Sequence, residues 1–118
     1  MRVFVVDGRW EVREGLRLLL EQETDATVVG EAADLRGLLY EAQKAQPDVV
    51  LVDWELEGVP GHGTVMQLHA LCPRARVIAS SVRPESRETA LSCGADGFLL
   101  KGDPVETILD VIFYSKTE

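Results

Sequence analysis

Residues 47–53 read PDVVLVD, and this stretch decides how the chain folds. Val49, Val50, Leu51 and Val52 are apolar at consecutive positions, after which the run stops abruptly on Asp53. A strand with one wet face would alternate apolar and polar residues, so an unbroken run of this length marks a strand covered on both faces. Similar runs stand at 3–6, 27–29, 77–79 and 98–100, and the stretches between them carry apolar residues at helical spacing. Strand and helix in regular alternation predict an α/β fold: a five-stranded parallel sheet with five helices spread over both faces.

The helical stretches differ in quality. The first places Val12, Leu16, Leu19 and Leu20 on one side, with Glu14, Arg17 and Glu21 on the other. The second opens on Asp34 as N-cap and buries Leu35, Leu38, Leu39 and Ala42. A third, shorter helix lies between Gly63 and Cys72, offers Val65, Leu68 and Leu71, and is stopped by Pro73. The fourth runs from near Pro84 to Gly94, a good C-terminal residue, with only Ala90 and Leu91 to bury, so it is held weakly. The fifth has Asp103 as N-cap, Pro104 at the first helical position and Glu106 two residues later, with Val105, Ile108, Leu109 and Ile112 inward. Tyr114 falls on the opposite side, and Val111 and Phe113 flank it. Residues 1–115 are expected to form one domain, with 116–118 a tail or the start of a linker to an output domain.

Composition narrows the function. A chain of 118 residues supports a single core. With 20 acidic against 12 basic residues the net charge is -8, which repels a phosphate backbone, so direct contact with nucleic acid is not expected. No apolar run is long enough to span a membrane and no secretory signal opens the chain, which predicts a cytoplasmic protein. Cys72 and Cys93 stand at no metal-like spacing and read as small apolar residues.

The chemistry collects where the apolar runs end. The first ends at Asp7, the third at Asp53, the fourth at Ser80 and Ser81, and the fifth at Lys101. In open α/β sheets, ligands bind outside these carboxyl ends. One aspartate after a strand is commonly a turn residue and one lysine is usually solvated, whereas several strands ending this way point to a shared crevice.

Stretches VREGL at 12–16, VGEA at 29–32, PDVVLVD at 47–53 and GADGFLLK at 94–101 carry a resemblance that covers residues 2–113. The chain resembles the receiver domain of bacterial response regulators, in the LuxR/NarL-type branch usually joined to a helix-turn-helix output domain. That resemblance implies the flavodoxin-like strand order 2-1-3-4-5. It implies that Asp53 accepts a phosphoryl group from a sensor histidine kinase, and that Lys101 pairs with the phosphoryl oxygens. Ser81 would hydrogen-bond to one of those oxygens while the ring of Phe98 swings inward. The surface of the fourth helix, fifth strand and fifth helix would then control a homodimer or an output domain, most simply one that binds DNA. The alternative is a receiver that serves as an interaction or dimerisation module without phosphorylation.

The resemblance also implies a Mg²⁺ ion held by Asp7, Asp53 and the backbone carbonyl of Glu55. Here the sequence departs from the family, whose first strand ends in two adjacent acids: the second position is Gly8. Magnesium is held by few carboxylates, so losing one predicts weak binding. Three expectations attach to Glu55. Its side chain replaces the missing carboxylate, or it pairs with Arg83, two residues past Ser81, and gates the pocket mouth, or the two side chains stay independently solvated. Glu57 and Gly102 stand where prolines are usual, which loosens the rim. Trp10 is expected to cover the first helix or meet a partner, and His62 and His69 to be surface residues. An aspartate-nucleophile phosphohydrolase would need a second acid two residues after Asp7, where Arg9 stands. A flavin-binding fold would need a hydroxyl-rich loop in place of the bulky, charged sequence GRWE at 8–11. The chain is therefore expected to be a regulatory phosphoacceptor and not an enzyme.

Overall fold

A computed structural model describes residues 1–60 and 63–114. Gly61, His62, the side chain of Tyr114 and the tail at 115–118 lie outside the described residues, so the expectations for His62, Tyr114 and the end of the domain fall outside them too. In chain order the elements are β1 (Arg2–Val6), α1 (Trp10–Glu23), β2 (Thr27–Ala32), α2 (Leu35–Ala45), β3 (Val49–Asp53), α3 (Thr64–Leu71), β4 (Arg76–Ser81), α4 (Ser86–Ser92), β5 (Gly97–Leu100) and α5 (Val105–Tyr114). All neighbouring strands run parallel, in the order β2-β1-β3-β4-β5.

The continuous apolar runs are explained by the two cores they divide. Phe4, Val6, Val50 and Val52 face Leu38 and Ala42 of α2, Val65 and Leu68 of α3, and Ala90 of α4. Val3, Val5, Val49 and Leu51 point the other way, onto Leu20 of α1 and Ile112 of α5. Successive strand residues thus fill opposite layers, and both must be apolar.

Two glycines are fixed by geometry. Between Val3 and Phe4 the β1–β2 register slips, so that Phe4 pairs with Gly30. A Cβ on Gly30 would lie 2.6 Å from Phe4 Cε2, so the ring occupies the space a side chain would need. Gly94 ends α4 with φ +101°, a left-handed conformation costly for other residues. Its N–H donates to Leu91 O at 3.0 Å and that of Ala95 to Ala90 O at 3.1 Å, the paired bonds of a Schellman ending.

Boundaries and inward faces differ in places from the sequence reading. Every strand gains one to three residues at its ends. Asp34 does cap α2, its Oδ1 accepting from Gly37 N at 2.7 Å. In α5 the Pro104 carbonyl accepts from Ile108 N at 3.0 Å, so Pro104 sits at the helix mouth and Val105 is the first helical residue. Val105 is exposed in that first turn instead of inward. Leu91, too, is exposed, which leaves Ala90 as the only buried side chain of α4, with Cys93 packed against the core just past its end. Trp10 does not cover α1: as the first residue of the helix, with side chains tilted toward the N-terminus, it overhangs solvent and is 65% exposed. His69 is partly exposed, as expected of a surface residue, and has a partner: its Nε2 lies 2.8 Å from Asp96 Oδ2 at the entrance to β5.

Candidate functional site

The strand order brings the ends of β1, β3, β4 and β5 into one row, and backbone bonds just past the strands hold that row in register. Asp7 N donates to Ala32 O (3.1 Å), Trp54 N to Ser80 O (2.7 Å) and Lys101 N to Ser81 O (2.8 Å). Each functional side chain therefore projects from the last rung of a ladder, with little freedom in its backbone.

Lys101 is the centre of the site. Its Nζ donates to Asp7 Oδ2 at 2.8 Å and lies 3.1 Å from Asp53 Oδ1. Asp7 is only 2% exposed and Asp53 only 7%. Two carboxylates are seldom buried side by side without a cation, and here the lysine supplies it from a strand on the far side of β4. Asp7 Oδ1 accepts from Arg9 N at 2.9 Å, with Arg9 Nε 3.9 Å away, so both oxygens of Asp7 are engaged. Asp53 Oδ1 also accepts from Glu55 N at 3.0 Å. Asp53 Oδ2 accepts from no donor among the described residues, which leaves one carboxylate oxygen of the pair free to react.

A second group of contacts lies beside this one. Ser81 is completely buried, and its Oγ donates to Glu55 Oε2 while accepting from Arg83 N at 2.9 Å. Glu55 Oε1 is 3.4 Å from Val82 N. No ion pair joins Glu55 to Arg83 among the described residues, so the expected gate is corrected: the carboxylate accepts from neutral donors, Ser81 Oγ and Val82 N, and Arg83 gives its backbone N–H to Ser81 Oγ. Ser80 turns its hydroxyl onto Val52 O at 3.3 Å, a sheet contact. Phe98 is buried in the layer shared with α2, α3 and α4.

The residues do not fit the Mg²⁺ ion that the resemblance implied. Gly8 brings no side-chain oxygen to the site, both oxygens of Asp7 already accept from Arg9 and Lys101, and the Glu55 carboxylate is turned to Ser81. Among the described residues no group of three or more His, Cys, Asp or Glu side chains could hold a metal. Between α1 and α5 a cavity of about 260 Å³ opens beside the charges, walled by Val12, Leu16, Leu99 and Ile108, with Asp7, Arg9 and Lys101 in its polar lining.

The sequence reading missed the supports behind Asp7. Arg13 Nη1 donates to Asp7 O at 2.8 Å, and its Nε donates to Glu31 Oε1 at 2.6 Å. Arg17 joins the same carboxylate at 2.6 Å. Hydrogen bonds donated by Arg17 and then Arg13 hold the Glu31 carboxyl below its ordinary range, and the bond that Arg17 donates to Glu31 raises its own guanidinium. The signal was present as Arg13 and Glu31 inside the quoted motifs, but their partnership needs α1 lying against β2.

Residues 3–113 match the family described as the response regulator receiver domain. The chain is 33% identical over 113 residues to the nitrate/nitrite response regulator protein NarP of Escherichia coli, covering 94% of this chain and 53% of that protein. With NarL of the same organism it shares 31% over 112 residues, covering 93% and 52%. Among solved structures, the signal receiver domain of NarL from Mycobacterium tuberculosis superposes with a TM-score of 0.81 at 32% identity, covering 92% of this chain and 90% of that one. The chain spans about half the length of the curated relatives it matches.

Proposed function

The chain belongs to the response regulator receiver domain family, and from that membership we propose that it is a signalling switch which accepts a phosphoryl group on Asp53 from a sensor histidine kinase. The observation that carries this reading is the bridge of Lys101 between Asp7 and Asp53, which engages Asp53 Oδ1 and leaves Oδ2 free. In the transfer, Asp53 Oδ2 forms a bond to phosphorus as the phosphorus–nitrogen bond of the donor phosphohistidine breaks. The electron pair returns to the imidazole and an acyl phosphate remains on Asp53. Little covalent help is needed in such a loose transfer, so the protein's part is alignment and charge neutralisation. Glu55 N and Lys101 hold the carboxylate in position, and the Lys101 ammonium lies ready for the phosphoryl oxygens. Ser81 offers a hydroxyl for one of them, and Phe98, paired with Ala79 in the β4–β5 ladder, lies where movement of the β4 end would be felt. A DNA-binding output domain, covalently joined or separate, is the partner suited to relatives of this kind. The protein would act in the cytoplasm, and no helix among the described residues is long and apolar enough to cross a membrane.

Gly8 supports a second reading, in which the chain is an interaction or dimerisation module that works without phosphorylation. Incubation with acetyl phosphate, with and without Mg²⁺, separates the two. Intact mass should rise by one phosphoryl group, and Asp53→Ala should abolish the rise. No gain under any condition, including with a cognate kinase, would overturn the first reading in favour of the second.

A further inference from the structure

Glu55 is an exposed residue whose carboxylate folds back onto a fully buried hydroxyl. Its backbone N–H is tied to Asp53 Oδ1 at 3.0 Å, so it starts from the reacting group itself. Its side chain then crosses from the end of β3 to the end of β4, where Ser81 Oγ donates to Oε2 and Val82 N lies 3.4 Å from Oε1. A hydroxyl and an N–H that converge on one negatively charged group form a small oxyanion cradle. Asp53 is directly opposite Ser80 in the β3–β4 ladder, one residue from Ser81, so this cradle adjoins the place where the oxygens of a phosphorylated Asp53 would lie.

We propose that Glu55 is a latch: its carboxylate fills the Ser81–Val82 cradle in the resting protein, and a phosphoryl group on Asp53 must expel it to reach the Ser81 hydroxyl. The latch rests on the reading of Asp53 as phosphoacceptor and adds a positioning residue to it. The two anions cannot share the cradle. Ser81 has one proton to donate, and like charges at contact distance repel. Expulsion would also release the segment that leads into α4, because Val82 and Arg83 are bound to the same two groups. That helix buries only one side chain, Ala90, and needs little to shift it. Phosphorylation would thus be converted into movement of the β4–α4 connection by exchange of one anion for another.

The test is a time course of acetyl phosphate labelling, followed by intact mass, for the wild type, Glu55→Ala, Glu55→Gln, Ser81→Ala and the Glu55→Ala/Ser81→Ala double variant. Glu55→Ala should label about tenfold faster, the effect of removing a competing charged hydrogen bond. Glu55→Gln, which keeps an acceptor without the charge, should fall between. Adding Glu55→Ala to Ser81→Ala should give little further acceleration, because the latch acts through that hydroxyl. Equal rates in wild type and Glu55→Ala overturn the latch, and so does an undiminished acceleration in the Ser81→Ala background. If no form of the protein labels, it is the phosphoacceptor reading that fails. The latch is then judged by amide hydrogen exchange, which should quicken about tenfold at Val82 and Arg83 in Glu55→Ala, and unchanged exchange there overturns it.

Discussion

Restoring the absent acid by Gly8→Asp should raise the affinity of the site for divalent cations. Space exists for the change: a Cβ at Gly8 would meet nothing nearer than Leu56 Cδ1 at 3.5 Å and Ala33 O at 3.8 Å, and its backbone is not in the left-handed region. A carboxylate about 4 Å from a cation gains about 4 kcal/mol per pair of unit charges at an effective dielectric near 20. If water recovers half of that, about 4 kcal/mol remains for a divalent ion, roughly a thousandfold in affinity. Without metal the same substitution adds a third carboxylate beside Asp7 and Asp53, whose buried counter-charge is Lys101, so the metal-free variant should melt lower than the wild type. The assay is a Mg²⁺ titration followed by fluorescence of Trp54, which is buried next to Asp53, together with thermal melts in chelator and in millimolar Mg²⁺. Gly8→Asp should saturate with a clear rise in Tm, while the wild type shows little of either. Mg²⁺ binding by the wild type as tight as by the variant would refute a role for the missing second acid in weakening the site.

Further expectations concern stability. Lys101→Met should cost about 3 kcal/mol in urea melts, because it leaves Asp7 and Asp53 facing each other with no cation between them. Combining it with Asp7→Asn should cost clearly less than the sum of the single changes, and strict additivity would contradict the shared-cation account. Gly30→Ala should destabilise by about 1–3 kcal/mol through collision with the buried Phe4 ring, and Phe4→Leu in the same chain should relieve part of the loss. The Glu31 carboxyl is held below its ordinary value of 4.5, so its contribution to stability is present above that value and is lost as pH falls through the depressed one. Glu31→Gln should therefore narrow the gap between neutral and acid stability, by a small amount because the carboxylate is about one-third exposed and screened. An unchanged acid limb would remove Glu31 from that account.

The alternation of strand and helix, the apolar runs, the cap at Asp34 and the ending at Gly94 were all legible in the chain, because each depends on residues within one or two turns of each other. So was the collection of Asp7, Asp53, Ser81 and Lys101 at strand ends. Their meeting in space was not: it depends on which strand lies beside which, and β1 and β3 become neighbours only because the chain crosses over between them. The resemblance supplied that order, and residues 3–113 match the family that has it.

What local spacing could not decide is what a long side chain does once several partners are in reach. Glu55 read as a substitute metal ligand, as the partner of Arg83 or as a solvated side chain, and the folded chain gives it to Ser81 and Val82 instead. His69 finds Asp96 across two elements, and Arg13 ties Asp7 to Glu31 across α1 and β2. The sequence by itself determined the layers, since burying an apolar run on both faces is a property of that run. Only the tertiary structure decided the site's wiring, because a hydrogen bond between residues 26 or 94 positions apart exists only after the sheet has set the distance between them.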